Sequence, residues 1–379
     1  MKKHLISIAL ASAFVSGSLH AEIHLSGFAS IVGGTTTSSK EQLYSYKDEF
    51  DFKQGSLVAL QASSDLGDGL GVTVQLTAKG GDDWDPEFKW AYVSYDASEE
   101  LRVLAGRQRA PFFMYSDYLD VSYAYSWIDP PKGVYDLLFD TFDGLGAIYT
   151  TNFDDVDATF HAIYGRNTDE VSLFGEQLVP EFNGLMGLSA TFTYDWLTLR
   201  TGYFVTDMTM PLTDLEALGA GWQQAGFQDI ANNTLVDDDS ISFLELGFQI
   251  NIDEIIVVAE YTELTFDDAP FGDQESFYIM GGYQFDKVLV HVTYGTDKEV
   301  ISNYTSDVPF GLAPGLDILK AGTQGLLESQ NVEEDYITIG ARYEFHDSAA
   351  VKVEYTDFSN DNNSASDAGL FRVALVTVF

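Results

Sequence analysis

The feature that most narrows what this chain can become is an alternation of apolar and polar residues. It recurs in segments of about ten, and after residue 21 no apolar run approaches the length of a membrane-crossing helix. Such a helix needs roughly 20 apolar residues. Leu188, Ala190, Phe192 and Tyr194 alternate with Ser189, Thr191 and Thr193. Val288, Val290, Val292 and Tyr294 alternate with Leu289, His291 and Thr293. A period of two is the period of a strand, so each segment shows one face suited to lipid and one suited to water. Sixteen segments follow this rule: 22–34, 55–65, 70–79, 86–96, 100–107, 143–151, 156–166, 186–195, 196–207, 240–251, 254–266, 275–285, 287–297, 334–345, 349–358 and 369–379.

The connections between them are of two kinds. Short ones, such as Leu66–Gly69, Ala97–Glu99, Asn152–Asp155 and His346–Ser348, hold the Asp, Asn, Gly and Ser of tight hairpins. Long ones (35–54, 80–85, 108–142, 167–185, 208–239, 267–274, 298–333 and 359–368) alternate strictly with them. An even number of strands, short turns at one end and long loops at the other describe an all-β transmembrane antiparallel up-and-down β-barrel with both termini on the short-turn side. Aromatic residues gather near the short turns (Tyr95, Phe153, Tyr194, Trp196, Phe285, Phe345) and toward the long loops (Trp90, Tyr164, Phe204, Phe266, Tyr294). Two girdles at headgroup level are expected from that placement.

The amino-terminal stretch falls outside the barrel. Lys2 and Lys3, the apolar Leu5–Val15 and the small or polar exit to Ala21 have the form of a secretory signal peptide. Residues 22–379 then form one domain. The first 21 residues hold two of the 19 cations and none of the 59 acidic residues, so the remainder carries a charge of −42. That excludes nucleic acid as a default partner, because such affinity rests on cations meeting phosphate. There is no cysteine, hence no disulfide and no thiolate metal site.

The longest aromatic-rich connection is Arg107–Phe142. It contains ten aromatic residues, five aspartates and three cations. Ordinary connections have a median of roughly 4–6 residues, and a loop this apolar needs somewhere to be buried. We expect it to fold inward and narrow a pore. Asp129-Pro130-Pro131 ahead of Val134–Phe142 predicts an N-cap, a proline start and a short amphipathic helix. Phe112, Phe113, Tyr115, Tyr118, Tyr123, Tyr125 and Trp127 pin the loop to the wall or, alternatively, form a stacking surface for a sugar or aromatic solute.

Three stretches resemble the trimeric porins of Gram-negative outer membranes. Ser64–Gly71 followed by Val72–Leu76 is similar to that family's second hairpin turn and third strand. Gly106-Arg107-Gln108 with Pro111 is similar to the run into its inward-folded third loop. The last strand ends on Phe379, which resembles the signal read by the outer-membrane assembly machinery. The second external connection, Gly80–Asp85, is too short for a long latch into a neighbour. The resemblance implies a homotrimer in the bacterial outer membrane, in contact with lipid and lipopolysaccharide, passing small hydrophilic solutes by diffusion.

Selectivity in a pore is set by its diameter and by the charges lining its narrowest point. The alternation turns Lys79, Lys89, Arg102, Arg200, Arg342, Lys352 and Arg372 toward the lumen. Arg107 and Arg109 sit at the mouth of the long loop, their facing left open by the local pattern. Asp117, Asp120, Asp129, Asp136 and Asp140 are the loop's carboxylates. The resemblance implies that loop acids oppose a basic wall in a transverse field. The blander reading pairs the strand cations with inward Glu245, Glu260, Glu344 and Glu354. The neck, being narrowest, tilts the expected ion preference toward anions, against acidic outer loops that gather cations.

Catalytic patterns do not appear. His24, His161, His291 and His346 are scattered, and G-x-S-x-G, H-E-x-x-H and P-loop patterns are missing. Asp237-Asp238-Asp239 lacks the spaced ligands of a calcium loop. We therefore expect no enzyme, metal or cofactor. Asp214–Asp229 and Leu316–Glu328 look like helical lids in two of the long loops. The leading expectation is a general diffusion channel. The other is a substrate-specific channel for a small anion or sugar, with a site built by its loops.

Overall fold

The computed structural model describes residues 22–173, 176–267 and 269–379. The signal-peptide expectation lies outside these residues. Sixteen strands close into one antiparallel barrel: β1 (Ile23–Thr36), β2 (Leu57–Gly67), β3 (Leu70–Lys79), β4 (Pro86–Asp96), β5 (Leu101–Arg109), β6 (Thr141–Phe153), β7 (Val156–Asn167), β10 (Glu181–Tyr194), β11 (Leu197–Thr209), β12 (Asp239–Ile252), β13 (Ile255–Phe266), β14 (Asp273–Phe285), β15 (Val288–Val300), β16 (Glu333–His346), β17 (Ala349–Asn360) and β18 (Ala368–Val378). Two further strands, β8 (Val171–Leu173) and β9 (Glu176–Leu178), form a separate small hairpin. The sixteen segments expected from alternation coincide with the sixteen barrel strands.

The short turns explain themselves chemically. Asp154, Asp195, Asp253 and Asp286 all have φ between +42° and +55°. Each is the first residue of a two-residue link, as between Phe153 and Val156 or Phe285 and Val288. Such links need left-handed backbone, which aspartate tolerates better than most residues. β10 begins five residues earlier than the alternation suggests. The pattern is broken at Gly184, whose φ of +64° accompanies a register shift between Asn183 and Met186.

Closure is made by β1 against β18, from Phe28 opposite Val378 to Thr36 opposite Leu370. The backbone of Phe379 completes it, with Gly27 N–H donating to its carbonyl at 2.8 Å and its own N–H returning at 2.9 Å. The Phe379 ring lies over Gly27, where a Cβ would stand 2.6 Å from the ring carbons. Closing the sheet removes its edges, and in lipid an open edge would leave backbone groups unpaired.

Large apolar side chains of one parity are exposed around the outside, among them Leu188, Val290, Val292, Ile339 and Leu375. Tyr95, Phe153, Tyr194, Trp196, Phe285 and Phe345 are exposed next to the short turns. The girdle at the other end is thinner than the sequence suggests. Tyr164 and Tyr294 belong to it, but Phe204 is 1% exposed and turns inward, and Phe266 packs in an inner apolar cluster. In β11 it is Leu199 and Tyr203 that point out, so Phe204 has the wrong parity for lipid.

In the long loops, α2 (Thr213–Gln224), α3 (Gln228–Asn232) and α4 (Pro314–Ser329) form a small helical assembly. Trp222 is its centre, fully buried, packed with Ala231 and Val308, and donating from Nε1 to Thr323 Oγ1 at 2.9 Å. The segment between β5 and β6 carries a helix, α1 (Lys132–Tyr135), of one turn only. The longer helix expected over Val134–Phe142 does not form. Its expected cap, Asp129, has its carboxylate engaged by Arg372 at 2.5 Å, and Pro131 precedes the helix with no side-chain cap.

Candidate functional site: a loop held by the barrel wall

Near the end of β5, before the connection to β6, stands Gly106, whose φ of +129° and close approach to the Ala91 carbonyl require glycine. Arg107 and Arg109, expected together at the loop mouth, part company. Arg107 is held by Asp143 at 2.9 Å and by Asp169 at 2.6 Å. Arg109 is buried between Asp120 and Asp140, the latter at 2.9 Å.

Beyond Arg109 the segment engages strand after strand of the far wall, and it does so through buried side chains. Arg200 on β11 donates to the Pro111 carbonyl at 2.5 Å and pairs with Glu245 on β12 at 2.6 Å. Glu260 on β13 accepts from the Met114 N–H at 2.8 Å, from Tyr278 OH at 2.6 Å and from Tyr135 OH. Trp127 Nε1 donates to Thr293 Oγ1 on β15 at 2.7 Å. Arg342 on β16 donates to the Tyr125 carbonyl at 3.0 Å. Lys352 on β17 donates to the carbonyls of Ser122, Tyr125 and Trp127. Glu354 accepts from the Ile128 N–H at 2.7 Å, and Arg372 on β18 bridges Glu354 at 2.9 Å to Asp129. Tyr123 OH reaches the Asp347 carbonyl on the short turn between β16 and β17 at 2.8 Å.

An apolar half accompanies this polar half. Phe112, Phe113, Tyr115, Tyr125 and Trp127 are buried with Phe204, Phe243, Val258 and Tyr278 of the wall. The Phe112 ring meets Phe204 edge-on at 5.0 Å and Phe243 at 5.5 Å, the geometry that aromatic quadrupoles favour. Of the two roles expected for these rings, packing is where the buried ones are engaged.

The acid cluster at Arg109 is the electrostatic centre. Asp120 is 7% exposed and contacts Arg109 and, at 3.1 Å, Lys79. Asp140 meets Arg109 and, at 3.2 Å, Lys89, which also pairs with Glu87 at 2.8 Å. Burial alone would push both carboxyls up. The cations Arg109, Lys79 and Lys89 outweigh it, holding Asp120 far below the ordinary carboxylate range and Asp140 below it as well. A cavity of about 380 Å³ opens beside this cluster, lined by Lys79, Lys89 and Lys132 against Asp120, Asp129, Asp136 and Asp140.

The expected site residues thus divide. Lys79, Lys89, Arg109, Asp120 and Asp140 form one network, and Arg372 with Asp129 a second. Arg200, Arg342 and Lys352 hold loop backbone. Asp117 and Asp136 make no ion pair among the described residues. Arg102 stands apart: it is exposed and pairs with Asp96 at 2.6 Å beside the short turn, so it does not belong to the narrow region expected for it. Lys132, which lines the cavity with its ammonium 4.7 Å from the Tyr44 ring, was not singled out. Its signal was available, as the one lysine of the segment, directly after Pro130-Pro131.

Comparison with known proteins bears on the family and the fold. A family model described as Gram-negative porin matches residues 7–363. No curated protein sequence matches the chain. The outer membrane channel DcaP of Acinetobacter baumannii superposes with a TM-score of 0.61 at 11% identity, covering 95% of this chain and 97% of that one. A loop L8 deletion mutant of OmpT, an outer membrane protein of Vibrio cholerae, gives 0.59 at 14%, covering 95% and 99%. Salmonella typhi OmpF, in complex with daunomycin, gives 0.57 at 15%, covering 95% and 98%. At these identities the likeness is one of fold.

Proposed function

The chain belongs to the Gram-negative porins, channels for passive diffusion across the outer membrane, and from that premise we propose that residues 107–142 lie within its barrel and set what passes. The observation that carries this reading is the chain of buried and partly buried hydrogen bonds from that segment to β11, β13, β15, β16, β17 and β18. A loop standing outside the barrel could not reach the inward side of so many strands. The cavity lined by Lys79, Lys89 and Asp120 is then the narrow part of the passage.

Ion preference follows from compensation. The lumen cations of the neck are spent on Asp120 and Asp140, so the expected anion preference is not sustained. A nearly neutral neck leaves selectivity to the acidic remainder of the chain. Its field favours cations at low salt and is screened beyond about 10 Å at 0.1 M. The reading includes a homotrimer, contact of the external loops with lipopolysaccharide, and no enzymatic activity.

The test is reversal potential in a salt gradient, for the wild type and Asp120→Asn in planar bilayers. The substitution takes the carboxylate away from Lys79 and leaves Arg109 with Asp140 alone, so permeability shifts toward anions. An unchanged reversal potential removes Asp120 from the narrow region. Ohmic current indifferent to millimolar solutes marks general diffusion, and saturable block by one solute class marks a specific channel.

A further inference from the structure

The inner wall of a water-filled barrel is ordinarily polar. Toward the long-loop end of β10–β13 it turns largely apolar. Phe182, Phe204, Ile241 and Phe243 are buried there, and Leu264 is partly buried beside them. The Phe112 ring covers part of this surface. What it leaves uncovered is a cavity of about 50 Å³, bordered on the loop side by Leu137, Leu138 and Phe139. The same three residues line the charged passage, so cavity and passage meet along one ridge. Leu138 is 41% exposed on it. Asp136 stands directly before the ridge and lines the passage. Asp120, Asp129 and Asp140 are all neutralised by cations, whereas Asp136 has no ion-pair partner among the described residues.

We propose that this ridge is a subsite for small amphipathic cations, with the ammonium group against Asp136, the apolar part along Leu138 and its tip in the cavity. The proposal rests on the reading of the passage as the conducting path. Size limits the tip: a dry cavity that seats benzene is roughly 150 Å³, so this one of about 50 Å³ takes only the edge of a ring whose face lies along Leu138. The other unpaired charge of the passage, Lys132, would favour an anion. Its ammonium is turned to the Tyr44 ring at 4.7 Å, a cation–π contact, and it lies a helical turn before the ridge. Asp136 adjoins the ridge itself.

The test is single-channel block of the reconstituted full chain by three probes. These are 3-phenylpropylammonium, n-propylammonium, which lacks the ring, and 3-phenylpropionate, which reverses the charge. The ring-bearing cation dwells about tenfold longer than either comparison, a difference of about 1.4 kcal/mol. Asp136→Asn and Leu138→Ser each cut that dwell toward the n-propylammonium value, with each dwell time read against the variant's own unblocked current. Equal dwell for n-propylammonium overturns the apolar subsite. Equal dwell for 3-phenylpropionate overturns the charge assignment, and insensitivity to both substitutions overturns the location. A chain that does not conduct at all defeats the pathway reading instead, which keeps the two failures apart.

Discussion

Lys352 offers the sharpest test of how the segment is held. The residue is 1% exposed, and its ammonium donates to the Ser122, Tyr125 and Trp127 carbonyls, with Ser122 Oγ also at 3.2 Å. An ammonium has three protons, so these three carbonyls saturate it. Lys352→Met keeps the length and removes every donor. Hydrogen bonds to a charged group contribute roughly 1.5–3 kcal/mol each, and a dry unpaired acceptor costs about 1–3 kcal/mol. Against this loss, the variant no longer buries an ammonium, a saving of several kcal/mol. Water from the adjoining passage can also satisfy some of the carbonyls. The balance is about 3 kcal/mol against the docked loop, a rise of roughly 150-fold in the undocked population. The strand ladder is untouched, because β17 pairs through its backbone with β16 and β18. The variant should therefore fold as a barrel, judged by mobility on an unheated detergent gel, yet show added open-channel noise and altered conductance. Lys352→Arg retains charge and should fall between. A folded Lys352→Met channel with wild-type conductance and noise refutes the argument that this side chain positions the loop.

Two other outcomes are specific. Asp120 and Asp140 ionise more readily folded than unfolded, so their contribution to the docked loop is present above the unfolded carboxylate pKa of about 3.9 and lost as pH falls through their lower folded values. The difference in reversal potential between wild type and Asp120→Asn should stay constant from pH 8 to pH 5 and shrink only below about pH 4; a transition between pH 5 and pH 7 would contradict this. Trp222→Phe removes the Nε1–H donor to Thr323 at the centre of the helical assembly. Loss of about 1–2 kcal/mol there should speed amide exchange in Thr213–Gln224 and Pro314–Ser329 and leave the strands as protected as before.

The barrel was legible because its cause is local. A two-residue period and an aspartate able to take left-handed φ act within one hairpin, and sixteen repetitions leave little freedom. Where the pattern failed, a local break was responsible, as at Gly184 in β10. The site was legible only as a set of residue types. Which cation meets which acid depends on the stagger of neighbouring strands and on which of them the loop reaches. Arg102 and Lys352 illustrate this: each begins its strand near a short turn, yet Arg102 pairs with Asp96 beside that turn while Lys352 holds three carbonyls of the distant loop. The tip of the segment descends on the far side, where Tyr123 reaches Asp347, and nothing in the alternation says so. Phe204 was misplaced for a related reason. An aromatic on a barrel strand serves a lipid girdle or an inner core according to parity, and parity is certain only when the neighbours on both sides are unambiguous.

The two halves of the segment are held by different physics, and this bears on how such a loop can be both rigid and placed in water. Phe112, Phe113 and their partners on β11–β14 form a dry cluster, stabilised by apolar burial and insensitive to salt. Asp120, Asp129 and Asp140 on the other flank are tied by Arg109, Lys79, Lys89 and Arg372. Arg109–Asp120 is buried on both sides, and breaking such a pair costs roughly 3–5 kcal/mol because it strands a charge; the other, partly exposed pairs hold more weakly but also fix the depth at which each aspartate sits. The apolar flank supplies adhesion without registry, since rings slide at little cost. The charged flank supplies registry, since a carboxylate displaced by an ångström loses its hydrogen bonds. On the proposed placement of the loop inside the barrel, one with only the first would drift across the lumen, and one with only the second would be loosened by the ions that pass it.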